Sequence, residues 1–339
     1  MTAHSKSNTA SRVLRVQSLS THFDLGFAMV RAVDDVDFEV ERGEILGLVG
    51  ESGSGKTVAG LSILGLVEPP GEIIHGSVFF EGRDLTRMPD NEIRQIRGNR
   101  ISMIFQDPLT TLSPTMRIGK QMQNVIAAHH RIARRDARVR CRDALGKLGI
   151  SSPEERLNAY PHELSGGMRQ RVCIAMAMLN EPDLIIADEP TTALDVTTQA
   201  QILQEIKLLR ERTGAAFIWI THDLAVVSEL ADRLVVMYSG QIVEEGTAAE
   251  VLSAPKHPYT HGLLQSVPAH NRDLVRLPQI PGFAPTPVDR IAGCKFGPRC
   301  KYAQPKCQER PGLQGAVSGR LARCFFPLDE TGDPAEDMR

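Results

Sequence analysis

The chain has 339 residues, of which 42% are apolar and 24% charged, an ordinary mixture for a folded globular protein of about two domains. A formal net charge of −2 excludes the general basic excess of nucleic-acid binders. No stretch approaches the roughly 18 to 20 apolar residues that cross a bilayer, and the first residues lack the apolar core of a secretory signal. We therefore expect a cytosolic protein that reaches a membrane only through partners.

Three strands are predicted near the N-terminus. The segments VLRVQSLSTHF and VRAVDDVDFEV alternate partially between apolar and polar residues, and a turn at Asp24-Leu25-Gly26 separates them. GEILGLVG is a continuous apolar run that enters a glycine-rich loop, as a buried strand does. Helical sequence follows from Lys56, and residues 76–85 indicate a hairpin.

Helical periodicity dominates residues 117–179, and strands alternate with helices after it. The strand LIIADE (184–189) precedes a helix near 197–212, the strand AFIWITH (216–222), a helix near 224–231 and the strand pair LVVMYSG and QIVEEG. This order predicts an α/β domain with a mainly parallel sheet over residues 1–253. The long helical stretch predicts an inserted helical subdomain at about 107–180.

The composition changes after residue 253. Eleven of the 21 prolines lie between Pro255 and Pro327, together with four of the six cysteines. We interpret residues 254–339 as a small, loop-rich extension whose core is too thin to fold without a staple.

A phosphate-binding motif occupies residues 50–57, Gly-Glu-Ser-Gly-Ser-Gly-Lys-Thr, which match G-x-x-x-x-G-K-[ST]. Glycines let successive backbone N–H groups point at phosphate oxygens, and the following helix adds its positive N-terminal dipole. Lys56 is expected to reach the β- and γ-phosphates and Thr57 to bind Mg²⁺. By itself the loop indicates only a P-loop NTPase, so kinases, GTPases and motor proteins remain open. The candidate phosphate-binding residues are Gly50, Ser52, Gly53, Ser54, Gly55, Lys56 and Thr57.

A second candidate site is the acidic end of the strand LIIADE. Asp188 and Glu189 stand where α/β sheets place their ligands, and they could hold Mg²⁺ and accept a proton from an attacking water. An isolated acidic pair is more often a plain strand-to-turn junction, but the phosphate loop upstream favours catalysis. His222 after AFIWIT and Gln106 in IFQDP could each be ordinary polar residues.

Residues 164–170, Leu-Ser-Gly-Gly-Met-Arg-Gln, resemble the signature loop of the ABC ATPases. The motif order also matches that family: phosphate loop, Gln106, signature, acidic strand, Ala193-Leu194-Asp195 and His222. Ser165, Gly166 and Gly167 open a helix and form a second anion site, which is surplus within one chain. In ABC ATPases, the signature of one subunit closes over the γ-phosphate held by the other in a head-to-tail dimer.

The resemblance also implies roles for single residues. Glu189 would be the general base, His222 would contact the γ-phosphate, and Gln106 would approach Mg²⁺ and the attacking water. Asp195 would reach across the dimer, and Asp188 would help to hold Mg²⁺.

For adenine the family uses an aromatic residue after the first strand. Phe23 has the matching position, and Phe27 is a rival.

Lys256-His257-Pro258-Tyr259-Thr260 and Gly293 to Cys300 resemble the oligopeptide/dipeptide importer branch of these ATPases. This implies an ATPase at the cytoplasmic face of the cell membrane, docked on two transmembrane permease subunits. A second, non-identical ATPase and an extracytoplasmic substrate-binding protein would complete the importer. The alternative is a soluble ABC ATPase that acts on nucleic acid or ribosomes. One signature, no long heptad run and no basic excess argue against it. The cargo stays open among dipeptides, oligopeptides, nickel complexes and glycosides.

The four clustered cysteines are spaced C-x5-C-x6-C-x16-C, unlike the paired C-x2-C of a zinc ribbon. Zinc, a [4Fe–4S] cluster and free thiols all remain compatible with this spacing. Some members of the importer branch carry an iron–sulfur cluster at four matching cysteines, so the resemblance favours the cluster. Its ligands would be Cys294, Cys300, Cys307 and Cys324. Cys141 and Cys173, in helical sequence, are interpreted as buried small hydrophobic residues.

Overall fold

The computed structural model describes residues 12–192, 194–266, 278–285, 288, 291–315 and 320–334. These residues form two compact units. The first contains residues 12–13, Val40–Glu44 and Arg87–Ile218; the second contains Leu14–Glu39, Ile45–Thr86 and the described residues from Trp219 onward. Among all the residues that the structure describes, no helix combines the length and the apolar character needed to cross a bilayer.

The second unit begins with strands. They are β1 (Arg12–Asp24), β2 (Met29–Glu41) and β3 (Ile45–Val49), followed by helix α1 (Lys56–Ile63) and strands β4 (Gly71–Phe80) and β5 (Arg83–Asp84). A four-stranded sheet has the order β2-β1-β4-β5, with β4 antiparallel to both of its neighbours. The three predicted strands and the hairpin near 76–85 are confirmed.

The first unit is mostly helical. Its elements are α2 (Asp90–Ile96), β6 (Ile101–Ile104), α3 (Pro108–Thr111), α4 (Ile118–Ala127), α5 (Arg134–Lys147), α6 (Pro153–Arg156), α7 (Gly166–Met178), β7 (Leu184–Asp188), α8 (Val196–Thr213) and the first half of β8 (Ala216–Thr221). β6 and β7 run parallel, with Ile104 opposite Ala187. Helix α5 packs against α4 and α7. Its buried residues Ala137, Cys141 and Leu145 repeat every four positions and so form one stripe.

The remaining elements return to the second unit. They are α9 (Leu224–Leu230), β9 (Arg233–Tyr238), β10 (Gln241–Thr247), α10 (Ala248–Ser253), α11 (Pro258–Gln265), β11 (Gln314–Gly315) and β12 (Leu321–Ala322). β9 pairs in parallel with the buried β3 and antiparallel with β10, and β12 adds to the outer edge of β10. Strands β11 and β12 of the C-terminal segment therefore extend the sheet that contains β3, β9 and β10.

A buried ion pair fastens this segment. The carboxylate of Glu244, on β10, is 0% exposed and accepts the backbone N–H groups of Lys256 and His257 at 2.7 and 2.8 Å. Arg320 Nη2 donates to the same carboxylate at 2.8 Å and to Ala254 O at 2.7 Å. Each of these contacts is charge-assisted, and together they link β10 to residues 254–257 and to Arg320.

Candidate active site

The phosphate loop follows β3, whose five residues are all buried. Gly50, Gly53 and Gly55 have φ values of 154°, 77° and 101°, in a region that side chains disfavour. A Cβ on Gly50 would lie 2.2 Å from Met237 O, and one on Gly55 would lie 2.1 Å from Ala32 O. The loop therefore requires glycine both for its backbone conformation and for close approach of neighbouring strands.

Lys56 is buried at the centre of this loop. Its Nζ donates to Gly50 O and Glu51 O, both at 2.9 Å, and lies 3.5 Å from Ser54 Oγ. Thr57, the next residue, is exposed at the first turn of α1, which contains no acidic side chain. The loop thus places an ammonium group beside backbone N–H groups at a helix N-terminus, the arrangement that binds phosphate.

In the first unit, the parallel pair β6 and β7 brings two predicted residues together. Gln106 follows β6 and Glu189 follows β7, and Gln106 Nε2 donates to Glu189 Oε2 at 3.2 Å. Thr192 Oγ1 donates to the same oxygen at 3.0 Å. Asp188 is 2% exposed, whereas Glu189 is partly exposed with φ of 43°, an unusual value for a non-glycine residue. The left-handed backbone of Glu189 marks a sharp turn directly after β7, and the carboxylate is held there by Gln106 and Thr192.

The signature residues form an exposed helix N-terminus in the same unit. Ser165 caps α7 by accepting the N–H of Met168 at 3.3 Å, and Ser165 and Gly166 are exposed. Asp195 caps α8: its Oδ1 accepts the N–H of Thr198 at 2.9 Å and its Oδ2 accepts the Thr198 hydroxyl at 2.7 Å. These hydrogen bonds from Thr198 lower the pKa of Asp195, so the carboxylate stays ionised as a cap. Ala193, in the predicted Ala-Leu-Asp motif, lies outside the described residues.

Two further predicted residues lie in the second unit. Phe23 is half-buried near the end of β1, and its ring covers Gly71 so closely that a Cβ there would lie 2.5 Å from Cε1. Its rival Phe27 is 87% exposed. The Phe23 ring thus packs against the backbone at Gly71, whereas Phe27 lies in solvent. His222 is exposed and directly follows β8.

The four C-terminal cysteines line one small cavity of about 10 Å³, together with His257, Phe296 and Tyr302 among others. That volume corresponds to about one water molecule, which is far too small for a four-iron cluster. Burial raises the pKa of Cys294 and Cys300, and raises that of Cys324 to about 12; neighbouring cysteines add to each shift. Across the described part of the chain, no group of three or more His, Cys, Asp or Glu side chains could hold a metal ion. The predicted iron–sulfur centre is therefore not supported by the structure: the thiols converge, but they do not form a ready-made site.

The two other cysteines agree with their prediction. Cys141 and Cys173 are buried, and burial raises their pKa values to about 11 and about 12.

Sequence reasoning missed one set of contacts on the phosphate loop. The Arg299 guanidinium forms a two-pronged ion pair with Glu51 at 2.8 and 3.1 Å, and Tyr259 OH accepts the Glu51 N–H at 2.8 Å. Both partners lie in the C-terminal segments that resemble the importer branch. No local pattern could reveal them, because they are more than 200 positions away from Glu51 in sequence.

The α/β fold, the phosphate loop and the signature residues at the start of α7 together define a P-loop ATPase of the ABC class. A dimeric, post-hydrolysis ATP-binding cassette, MJ0796 bound to ADP and Pi, superposes with a TM-score of 0.63 at 27% identity, covering 69% of this chain and 98% of that one. Residues 33–192 match the family model of ABC transporters, and residues 243–307 match that of the oligopeptide/dipeptide transporter C-terminal region.

Two relatives extend the match to nearly the whole chain. The dipeptide transport ATP-binding protein DppD of Escherichia coli (strain K12) is 46% identical over 323 residues, 95% of this chain and 99% of DppD. The oligopeptide transport ATP-binding protein AppD of Bacillus subtilis (strain 168) is 47% identical over 322 residues, 94% and 98% respectively. The chain belongs to the ATP-binding proteins of the oligopeptide/dipeptide branch of ABC transporters. The predicted family, fold and ATPase activity in transport are confirmed, and nothing in the comparisons supports the nucleic-acid alternative.

Proposed function

We propose that this chain binds ATP with Mg²⁺ at the phosphate loop and hydrolyses ATP with Glu189 as the general base. The loop is the observation that carries the proposal. Two of its glycines abut backbone carbonyl groups at distances that exclude any side chain, and a buried lysine ammonium lies at its centre. This geometry supports phosphate binding far better than a structural turn, which needs neither feature.

Each predicted residue has a role in this proposal. The loop backbone from Gly50 to Gly55, with Ser52, Gly53 and Ser54, and Lys56 bind the phosphates, and Phe23 stacks on adenine. Thr57, Asp188 and Gln106 would hold Mg²⁺, since hydroxyl, carboxylate and amide oxygens are the ligands this ion prefers. Bound Mg²⁺ would offset the charge that develops on the phosphate oxygens.

The chemical step follows from the pair at the end of β6 and β7. Glu189 accepts a proton as the water oxygen bonds to the γ-phosphorus and the bond to the β–γ bridging oxygen breaks, which leaves ADP and phosphate. Gln106 and Thr192 hold the carboxylate by donating to its Oε2. His222 donates to the γ-phosphate.

The decisive variant is Glu189→Gln, which keeps the shape of the side chain but removes the base. We expect turnover to fall by about 10²- to 10⁴-fold, because general-base catalysis contributes that much, while ATP affinity is retained and an ATP-bound dimer accumulates. The control is Glu211→Gln on the exposed face of α8. Hydrolysis by Glu189→Gln at the normal rate would show that the base is another group.

We infer that a second ATPase subunit, non-identical to this one, completes the site through the signature residues Ser165, Gly166 and Gly167, with Asp195 at the same interface. The N-terminus of α7 supports this, since Ser165 and Gly166 are exposed and the first turn of the helix contains no acidic side chain. Sedimentation of Glu189→Gln with ATP, alone and mixed with the copurified ATPase, tests it. Dimers from this chain alone would favour a homodimer.

We propose peptides as the cargo, because the relatives DppD and AppD are named for dipeptide and oligopeptide transport. The chain would dock at the cytoplasmic face of the membrane on two permease subunits, fed by an extracytoplasmic binding protein. Deleting the chain should abolish cellular uptake of labelled di- or oligopeptides, and Lys56→Ala should fail to restore it. ATPase stimulation by DNA or RNA, with normal peptide uptake in the deletion, would favour the nucleic-acid alternative.

We propose a division into an ABC ATPase domain at 1–253, with a helical subdomain at about 107–180, and an extension at 254–339.

We also propose that a [4Fe–4S] cluster is bound in the extension by Cys294, Cys300, Cys307 and Cys324. The convergence of these four cysteines on one cavity supports this proposal. The side chains would have to move outward, because that cavity has a volume of only about 10 Å³. Protein purified without oxygen should be brown and contain about four irons per chain. Colourless protein with stoichiometric zinc would exclude the cluster.

A further inference from the structure

The cysteine segment, residues 294–300, is a compact loop that presents cations. Backbone hydrogen bonds link Gly297 N to Cys294 O, Arg299 N to Phe296 O and Cys300 N to Gly297 O. These tight turns, with a 3₁₀ turn at Gly297–Arg299, fix where the side chains of the segment point. Arg299 directly precedes Cys300, so its position depends on how the cysteines are held.

Arg299 is directed at the phosphate loop. It is 9% exposed, and Nη1 and Nη2 donate to Glu51 Oε2 at 2.8 Å and Oε1 at 3.1 Å. Nη1 also reaches Tyr238 OH at 3.3 Å, and Nε donates to Pro281 O at 2.9 Å. Burial by itself would lower the pKa of Arg299, but the hydrogen bonds to Glu51 and Tyr238 outweigh it and raise the pKa. The two-pronged geometry fixes the orientation of Glu51 as well as its charge.

Aromatic packing stiffens the same junction. Phe296, within the cysteine segment, lies against Tyr238 and Tyr259, with ring centroids 5.3 and 5.5 Å apart. Tyr259 OH accepts the backbone N–H of Glu51. The phosphate loop is therefore bound at Glu51 by two contacts: Arg299 binds its side chain, and Tyr259 binds its backbone N–H.

A second tether reaches the loop from the other end of the segment. Lys295 Nζ lies 2.9 Å from Asp34 Oδ2 and donates to Ser239 O at 2.8 Å. The adjacent Gly240 donates its N–H to Ser54 O in the phosphate loop at 2.9 Å. Because Lys295 follows Cys294, each end of the cysteine segment carries a cation that contacts the loop or its immediate support.

Electrostatics gives the Arg299 contact a role beyond packing. Glu51 is the second residue of the loop, so its carboxylate adds negative charge beside a site for a triphosphate. A charge pair in a partly buried position is screened less than one at the surface. Without Arg299, the carboxylate would both repel phosphate and leave the loop backbone less constrained.

We propose that Arg299 is a positioning residue for nucleotide binding, which holds the phosphate loop through Glu51 and couples it to the cysteine segment. This inference rests on the proposed assignment of the loop as the ATP site. It assigns the C-terminal extension a part in setting ATP affinity. By linkage, ATP bound at the loop must in turn stabilise the cysteine segment.

The first test measures ATP binding to the full-length chain by calorimetry. Arg299→Met should raise Kd for ATP about tenfold, because a lost hydrogen bond to a charged group costs that much. Arg299→Lys keeps the charge but loses the two-pronged hydrogen bonding of the guanidinium group, so its Kd for ATP should rise about threefold. The matched control is Lys306→Met, which removes the cation beside Cys307 that lies over the Phe325 ring, 4.9 Å from its centroid. Its Kd should stay at the wild-type value.

The second test asks whether Arg299 acts through Glu51. In the Arg299→Met background, Glu51→Gln removes the unpaired charge and should restore ATP affinity to within about threefold of wild type, as coupled residues do in a double-mutant cycle. In the assembled transporter, KM for ATP should rise in Arg299→Met while kcat at saturating ATP stays near wild type. A general folding defect would lower kcat as well and would not respond to Glu51→Gln.

Hydrogen exchange provides a readout for variants that bind poorly. ATP should slow amide exchange over residues 294–300 in the wild type, and Glu51→Gln alone should abolish that protection. The proposal would be overturned if Arg299→Met bound ATP with the wild-type Kd, or if ATP still slowed amide exchange over residues 294–300 in Glu51→Gln. Either result counts only if Lys56→Ala abolishes ATP binding. If Lys56→Ala bound ATP normally, the assignment of the phosphate loop itself would be wrong.

Discussion

The chain carries two glycine-flanked helix N-termini, and they are built in opposite ways. At α1, the phosphate loop is walled by backbone carbonyl groups on Met237 and Ala32 and filled by the Lys56 ammonium. At α7, the signature loop is exposed, and a Cβ on Gly166 would meet no atom within 4 Å. The first loop is a nearly complete phosphate cradle, whereas the second is an open face. An anion site left open in this way is suited to a ligand that another subunit brings.

Among the variants that compare the two loops, the largest effect should come from filling the closed loop. Gly55→Ala places a methyl group 2.1 Å from Ala32 O at a φ of 101°. We expect nucleotide affinity to fall on the order of a hundredfold, since overpacking and backbone strain each cost about 1–3 kcal/mol. Binding of a fluorescent ATP analogue measures it. Affinity within twofold of wild type would mean that the loop is not rigidly walled.

A substantial effect of a different kind should follow from Ser165→Ala. The variant loses the cap of α7, which is worth about 1 kcal/mol, and, in the proposed dimer, a donor toward the nucleotide of the other subunit. Turnover in the assembled transporter should fall about tenfold, and ATP binding by the isolated chain should not change. If ATP binding by the isolated chain fell equally, the signature loop would belong to the same closed site and the contrast between the loops would be wrong.

An effect of similar size, on ATP binding, should separate the two aromatic candidates. Phe23→Ala should weaken ATP binding about tenfold, because stacking on a base is worth about 1–3 kcal/mol. Phe27→Ala removes a side chain that is 87% exposed and should leave affinity unchanged. Titration of both variants with ATP and with inorganic triphosphate isolates the base. Loss of triphosphate binding in Phe23→Ala would point to a structural role instead.

The smallest effect should be that of Gly166→Ala on the isolated chain. The new methyl group has open space around it, and the backbone is helical. ATP binding and thermal unfolding should match wild type, in contrast to Gly55→Ala. Closure with a second subunit should nevertheless be impaired, which sedimentation with ATP in the Glu189→Gln background would reveal. Normal dimerisation of the double variant would exclude Gly166 from the interface.

The extension shows most clearly how prediction from sequence reached its limit. Its proline content and four cysteines predicted a loop-rich segment, and its described residues contain one eight-residue helix, short 3₁₀ turns and two strands of two residues each. The staple expected from the sequence was a metal centre. The structure instead places a buried Glu244–Arg320 pair and an added strand, β12, at the points of attachment. Ion pairs between residues 76 positions apart leave no periodic trace in a sequence, whereas clustered cysteines are conspicuous.

The sequence by itself determined the order of elements, the phosphate loop, the signature and the acidic strand end. These depend on local properties: glycine at positive φ, apolar runs in buried strands and capping residues at helix starts. Only the tertiary structure decided that Gln106 meets Glu189, that Phe23 rather than Phe27 is held in place, and that Arg299 grips Glu51. Those contacts join residues brought together by sheet pairing and packing, and their energy depends on distance in space rather than along the chain.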